Sequence, residues 1–501
     1  MSEEQKFQNE LKNVAKYTGI SLIGILFFNL MGYINNIIIT RNVDPEFFGL
    51  FVLSVRIVSY LAMMSYFGLH TGSMKFISQY FSVSQHSKVK SIFFFTLKIV
   101  AVSSLTLSAL VFIFSPYIST RIFHKPELSP ILRLMLFIVP FASIGGVFLL
   151  SLRGLKLIKH QVLTSKIIEP LARCVFLLVF FYFGYKTFGI IWTQIIVVFF
   201  TFVISGYFVY SKYLRFHKNT PLTRVGKELV TFSIPLYWDS FLNHTRQLMP
   251  IYIMGVFLTG TDIGIFHICS KIATLIAIPL MALDLIFGPT LSGLFARNEK
   301  RVLERLFKTT TKWIFTISLG AFFFILIYAE PILSIFGAEY ATGTNILIVL
   351  IIGILISISV GSNGQLIIMS GRSKLALKNS ILSFILMGVL GITLIPEYGA
   401  LGAGISAAIT AIIMSLIRFF QVLVLEKIHP YKLSYIKPVL AGVSSYLIVQ
   451  FYASSVSLSK TFNLISGLLI FSIIFCLILF VLKFDEDDKI ILNALKQKFR
   501  R

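Results

Sequence analysis

Two cations stand where a lipid bilayer would be deepest. Arg56 lies nine residues into an apolar run that begins near Phe47, about 14 Å along a helix at about 1.5 Å per residue. Lys271 is equally far into a second run, near 262–290. A charge at that depth costs about 2.5 to 3.5 kcal/mol on insertion scales, so it faces protein or water rather than hydrocarbon. Arg offers a planar fork for phosphate oxygens and Lys a point charge. With Arg246 these two form a candidate ring for an anionic group; an internal ion pair is the competing reading of the same residues.

Polar stripes accompany the cations. Asp239, Asn243 and Arg246 recur at i, i+4 and i+7, as do His267, Lys271 and Thr274, and Asn29, Tyr33 and Asn36. That spacing puts each trio on one helix face. Asp239 either neutralises a neighbouring cation or couples to a proton or sodium ion. Asp284 is a second coupling candidate, and His267 a third because imidazole titrates near neutrality. Glu169 and Arg173 are spaced to pair with each other, while Lys98, Arg133 and Arg418 lie nearer helix ends or outer faces, where their heads can reach an interface. Cys174, Cys269 and Cys476 are far apart within apolar runs, which is neither a disulfide framework nor a metal pattern. No resident cofactor or metal is expected.

The elements that position these residues are membrane spans. The chain has 501 residues, 56% hydrophobic and 13% charged, with 50 Phe, whereas soluble domains carry about 25% charged residues. A bilayer core about 30 Å thick needs about 20 apolar residues per helix. Hydropathy broken at Gly, Pro and charge clusters predicts spans at 14–38, 47–69, 91–115, 132–151, 164–185, 189–211, 229–258, 262–290, 311–330, 342–366, 377–395, 399–423, 437–456 and 462–483. The mixed-charge start Met1–Lys12 leads into a retained helix rather than a cleaved signal.

Charge placement tests this topology. With the N-terminus in the cytoplasm, thirty Lys and Arg fall in cytoplasmic segments and only Arg41, Arg121, Lys125, Lys186 and Lys460 outside. That is a positive-inside pattern with both termini cytoplasmic. The net charge of +24 therefore suits anionic lipid headgroups, and no nucleic acid is needed to explain it. Outward loops are short and lack a cluster of acids and histidines, which disfavours a membrane glycosyltransferase or polymerase. No phosphate-binding Gly-rich loop of the G-x-x-x-x-G-K-[ST] type occurs.

An offset of about 214 residues brings the chain into register with itself. Gly49-Leu50-Phe51 meets Gly264-Ile265-Phe266, Arg56-Ile57 meets Lys271-Ile272, and Lys98 meets Lys312. Ile122-Phe123 likewise meets Ile335-Phe336, and Phe188-Gly189 meets Leu401-Gly402. The expected fold is all-α and polytopic, with about fourteen transmembrane helices in two pseudo-symmetric six-helix lobes and two further helices. The lobes are 1–211 and 229–423, joined by a cytoplasmic linker at 212–228 and followed by helices in 437–483 and a basic tail at 484–501. Repeats of this kind place substrate between their halves.

Asp44-Pro-Glu-Phe-Phe-Gly-Leu-Phe with Tyr66-Phe-Gly-Leu, Ile395-Pro-Glu-Tyr-Gly-Ala-Leu-Gly-Ala-Gly, and the paired loops Ser151-Leu-Arg-Gly-Leu-Lys and Ser370-Gly-Arg-Ser-Lys carry a resemblance. It spans nearly the whole chain. The sequence resembles the Wzx-like lipid-linked oligosaccharide flippases, polysaccharide transporters of the superfamily that also holds multidrug extruders and lipid II flippases. The resemblance implies that the first, second, seventh and eighth helices line a cationic cavity. It implies alternating access for a polyprenyl-pyrophosphate-linked oligosaccharide, no enzymatic activity, location in the cell's inner membrane, and glycan polymerases or glycosyltransferases as partners. A lipid II-type flippase and a multidrug extruder are the alternatives. Few free acids and two inward cations disfavour cationic drugs.

Overall fold

The computed structural model describes residues 26–223, 225–455, 460–482, 485 and 488. The remaining residues, including the start of the first predicted span and most of the basic tail, lie outside the described set. Helix α1 covers 26–42. The first half continues with α2 (Pro45–Ser65), α3 (Leu69–Ser82), α4 (His86–Tyr117), α5 (Leu128–Leu136), α6 (Ile138–Gly154), α7 (Ile158–Val162), α8 (Glu169–Tyr182) and α9 (Lys186–Lys212). Then come α10 (Gly226–Phe257), α11 (Gly260–Ala296), α12 (Lys300–Ile327), α13 (Ala329–Ser334), α14 (Thr344–Ser359), α15 (Asn363–Met369) and α16 (Ser373–Glu426). Helices α17 (Ile436–Ser455) and α18 (Lys460–Val481) complete the chain's described architecture.

Among the described residues, ten helices are long and apolar enough to cross a bilayer by length and composition. The 54-residue α16 is two of the predicted spans, because Gly399 adopts φ 59° and ψ −141° three residues after Pro396. Only glycine enters that region without strain. Helix α1, α8 with the wider helical turn at 163–168 before it, and the polar α10 account for the other predicted spans. The fold is therefore all-α and polytopic, as the hydropathy indicates.

The internal repeat is written into the backbone. Left-handed residues punctuate both halves at the same spacing: Ser84 (φ 57°) and Asn298 (55°), His124 (54°) and Gly337 (145°), Lys156 (61°) and Gly371 (83°), Gly184 (81°) and Gly399 (59°). The offsets of these pairs run from 213 to 215, the register in which Gly49 meets Gly264 and Lys98 meets Lys312.

The described residues form two compact units, Phe27–Gly264 and the chain from Ile265 onward. The repeat puts the seventh predicted span at the head of the second half; by packing, its helix α10 belongs to the first unit. The reason is local. Gly68 and Gly72 bring α3 against Ser233 and Tyr237 of α10, and Phe76 meets Phe232 edge-on at 5.5 Å. Within this unit, hydroxyls stitch neighbouring helices: Ser65 Oγ donates to Ser143 Oγ at 2.9 Å, and Ser103 Oγ to the Ser65 carbonyl at 2.7 Å. In the second unit Ser318 Oγ donates to the Ile276 carbonyl at 2.8 Å. Small polar side chains that bond across helices are the adhesive where apolar burial offers no advantage over lipid. Large apolar side chains such as Phe199, Tyr207 and Phe480 are left exposed, as a hydrocarbon surround permits.

Candidate functional site

The second helix is fixed at its start. Asp44 Oδ2 accepts from the backbone N–H of Glu46 at 3.0 Å and of Phe47 at 3.3 Å, and Pro45 fills the first turn, a residue pairing suited to a helix N-terminus. Glu46 then turns to the first residues of α11: its Oε1 accepts from Gly260 N–H and its Oε2 from Thr261 N–H, both at 2.8 Å. Gly49 explains the closeness, since a Cβ there would lie 1.6 Å from the Gly260 carbonyl oxygen. Lys125, in the loop before α5, donates to the Gly255 carbonyl at 2.8 Å. Burial pulls its ammonium below the ordinary lysine value, against the opposing pull of Glu46, Asp262 and Glu127.

With α2 so anchored, Arg56 is carried half-buried into the first unit among groups from α10. Tyr252 Oη donates to the Arg56 carbonyl at 3.0 Å. Tyr60, one turn on from Arg56, stacks on His244 with ring centroids 6.3 Å apart and meets Tyr252 edge-on at 5.9 Å. Thr245 Oγ1 donates to Tyr60 Oη at 3.1 Å. Nε2 of His244 is buried and has no hydrogen-bond partner among the described residues, an unmet polar atom of the kind that a ligand or water satisfies. The cluster thus combines a guanidinium, aromatic faces and an open imidazole nitrogen.

The predicted site residues divide between the two units. Asn29, Tyr33, Asn36, Arg56, Asp239, Asn243 and Arg246 belong to the first, and His267, Lys271 and Asp284 to the second. Asn36 is buried and gives its amide to the Gly32 carbonyl of its own helix at 2.9 Å. Its neighbour Asn35, outside the predicted stripe, donates to the Pro170 carbonyl at 3.2 Å and so ties α1 to α8. Asn243 donates to the Asp239 carbonyl and to its Oδ1, at 3.0 and 3.2 Å; on the same helix Asp239 is exposed and Arg246 half-buried. Lys271 and His267 are both half-buried on α11. Asp284 accepts a hydrogen bond from Ser362 Oγ, at the break between α14 and α15. Glu169 and Arg173 pair at 3.3 Å, as their spacing predicts.

Sequence reasoning did not single out Tyr60, His244, Thr245 or Tyr252. Tyr60 could have been found, because it stands at i+4 from Arg56; the other three required knowing that α10 packs on α2.

Fold and site together define a polytopic helical membrane protein with a half-buried cationic, aromatic-lined cluster at mid-helix depth. The family model described as "Polysaccharide biosynthesis protein" matches residues 14–283, and the chain belongs to that family. It is similar to the capsular polysaccharide biosynthesis protein CapF of Staphylococcus aureus, 27% identical over 217 residues, which is 42% of this chain and 54% of CapF. It is also similar to the succinoglycan biosynthesis transport protein ExoT of Rhizobium meliloti, 25% identical over 66% of this chain and 64% of ExoT. The chain thus matches roughly half to two thirds of the length of these relatives. Among solved structures, the lipid II flippase MurJ in an inward closed conformation superposes with a TM-score of 0.68 at 14% identity, over 92% of this chain and 97% of that one. A likeness at that identity speaks for the fold alone.

Proposed function

We propose that this protein carries a polyprenyl-pyrophosphate-linked oligosaccharide from the cytoplasmic to the outer leaflet by alternating access, in the making of a cell-surface glycan. The observation that carries the reading is Arg56, held half-buried in α2 beside Tyr60, His244 and Tyr252. A guanidinium fork suits pyrophosphate oxygens. Aromatic faces suit the apolar face of a sugar ring, whose hydroxyls then need polar partners such as the His244 nitrogen. Membership of a polysaccharide biosynthesis family supports the same reading. So do the names of relatives that make capsule and transport succinoglycan.

In this reading Lys271 and Arg246 join Arg56 in receiving the anionic head, and Asn29, Tyr33, Asn36 and Asn243 bond the glycan. Asp239, Asp284 and His267 are the titratable groups available for proton or sodium coupling. Asp284 is favoured among them because its partner Ser362 stands at an interrupted helix, the kind of discontinuity at which transporters bind ions. The protein acts in the inner membrane with both termini cytoplasmic. Its basic cytoplasmic segments rest on anionic lipids, and its product passes to a glycan polymerase or glycosyltransferase.

The test is translocation of a lipid-linked oligosaccharide in proteoliposomes. A lost charge-assisted contact is worth about 1.5 to 3 kcal/mol. Replacing Arg56 and Lys271 together by Gln is therefore expected to slow translocation roughly ten- to hundredfold or more, with insertion and thermal stability retained. Unchanged translocation in the double variant removes the site assignment.

A further inference from the structure

The second unit contains a cation that the Arg56 cluster does not explain. Arg418 lies in the C-terminal part of α16, eight residues before Glu426, about 12 Å along the axis from that end of the helix. The polar residues nearest the helix end are all partnered. Glu426 Oε1 takes Arg372 Nε at 3.1 Å. One turn deeper, Gln421 and Asn379 exchange amide hydrogen bonds at 2.7 and 3.0 Å. Arg418, three residues deeper still and half-buried, has neither a carboxylate nor a hydrogen-bond acceptor among the described residues.

The guanidinium has room beside it. A Cβ at Gly364, in the first turn of α15, would meet one atom within 4 Å, Arg418 Nη1 at 4.0 Å. A Cβ at Gly288 on α11 would meet only Gln365 Oε1 at 3.4 Å and Met369 Cε at 3.5 Å. Asn363, which precedes Gly364, is 2% exposed, and its Oδ1 is buried without a hydrogen-bond partner among the described residues. Asp284, the acid on this stretch of α11, is engaged by Ser362. Room beside Gly364 and a guanidinium without an acceptor among the described residues therefore meet where α15 packs on α16. A desolvated guanidinium demands a counter-charge, and the described residues supply none.

We propose that Arg418 is a second anion-binding residue, which takes a phosphate oxygen of the transported lipid's head in the second unit, with Gly364 leaving the room for it. This rests on the flippase reading above and adds a contact that the Arg56 cluster does not contain.

The experiment is ligand binding to the purified full-length protein by native mass spectrometry. The probes are farnesyl pyrophosphate and farnesol, with phosphatidylglycerol as a competing anionic lipid. Wild type should retain farnesyl pyrophosphate over farnesol. Arg418→Gln should weaken the pyrophosphate probe roughly tenfold or more and leave farnesol unchanged, and Arg418→Lys should restore part of the loss. Gly364→Leu, which keeps every charge and fills the space before the guanidinium, should weaken the same probe. Equal retention by wild type and Arg418→Gln, with Arg56→Gln impaired, overturns this inference and spares the flippase reading. Failure of wild type to prefer pyrophosphate overturns both. Loss of phosphatidylglycerol in place of the pyrophosphate probe also overturns it, by assigning Arg418 to a bulk-lipid headgroup.

Discussion

Lys98 on α4 and Lys312 on α12 hold the same position in the two halves of the repeat, and they meet opposite surroundings. Lys98 is exposed on a helix whose most apolar stretch is only 11% buried. Lys312 is 8% exposed on a helix whose corresponding stretch is 56% buried. The added cover comes from α17 and α18, where Tyr328, Ala441, Val449, Phe471 and Phe475 form a common core. Covering α12 leaves a buried ammonium to neutralise. Asp488 and Asp485, just past α18, do so at 2.7 and 2.9 Å. Lys437 at the start of α17 holds the other oxygen of Asp485 at 2.8 Å, and Trp313 Nε1 donates to Asp488 at 2.8 Å. Two extra helices thus turned a surface lysine position into the centre of a charge network. The difference shows that a repeat conserves backbone position while the chemistry at that position follows its cover.

The largest test of the comparison removes one side of the network. Removing one partner of a buried ion pair costs about 3 to 5 kcal/mol, because a charge is left uncompensated. Lys312→Met, which takes the ammonium from two carboxylates, should lower the Tm of the purified protein more than Asp488→Ala, which leaves Lys312 its bond to Asp485. Lys98→Met should stay within about 0.5 kcal/mol of wild type. The double change Lys312→Met with Asp488→Leu should recover most of the loss, since an apolar pair of similar volume serves a buried site as well as the ions do. If Lys98→Met proves as damaging as Lys312→Met, the contrast between the halves is wrong.

A smaller effect separates the helices that open the two halves' second spans. Helix α2 is capped from its own chain by Asp44. Helix α11 has a reciprocal Thr259–Asp262 box, with both bonds at 3.2 Å, and in addition the carboxylate of Glu46. Removing a cap costs about 0.5 to 2 kcal/mol. Glu46→Ala should therefore destabilise by about 1 kcal/mol, and hydrogen exchange should speed first at Gly260 and Thr261. Exchange quickened in α2 instead would mean that Glu46 serves its own helix.

Local chemistry was legible in the sequence, and long-range chemistry was not. Asp44-Pro marks a helix start, and Pro396 with Gly399 marks the break in α16, because both signals act within a few residues. Gly184, Gly337, Gly371 and Gly399 hint at left-handed turns, but His124 and Lys156 stand opposite two of them, and a fourth pair is Ser84 with Asn298. Ser and Lys carry no such signal, and Asn and His only a weak one, so the repeat is clearer in the backbone than in the letters. The depth of Arg56 could be read from hydropathy; its aromatic neighbours on α10, some 190 residues later, could not. Lys312 and Asp488 are 176 residues apart, and nothing near either one announces the other. Arg418 seemed close enough to a helix end to reach an interface, yet its guanidinium turns toward Gly364.

The finest test uses pH, because the two acids of the network differ in exposure, with side chains 18% exposed at Asp485 and 6% at Asp488. Burial pushes the Asp485 carboxyl up, but hydrogen bonds from Lys437 and Lys312 outweigh it and hold the group well below the usual carboxylate range. A carboxyl depressed in the folded state adds stability above its unfolded value, about 3.9. That stability is lost as the pH falls toward the folded value. Lys437→Gln weakens the depression, so it should lower stability at neutral pH by less than Asp488→Ala does. The unfolded value is common to both proteins, so the gap between Lys437→Gln and wild type should hold at about pH 4 and narrow only as the pH falls further, through the variant's less depressed value toward that of the wild type. Lys98→Gln, with no carboxylate of this kind to release, should run parallel to wild type across the same window. A gap at Lys437→Gln that stays constant into acid would show that Lys437 acts there by packing its stem and not by its charge.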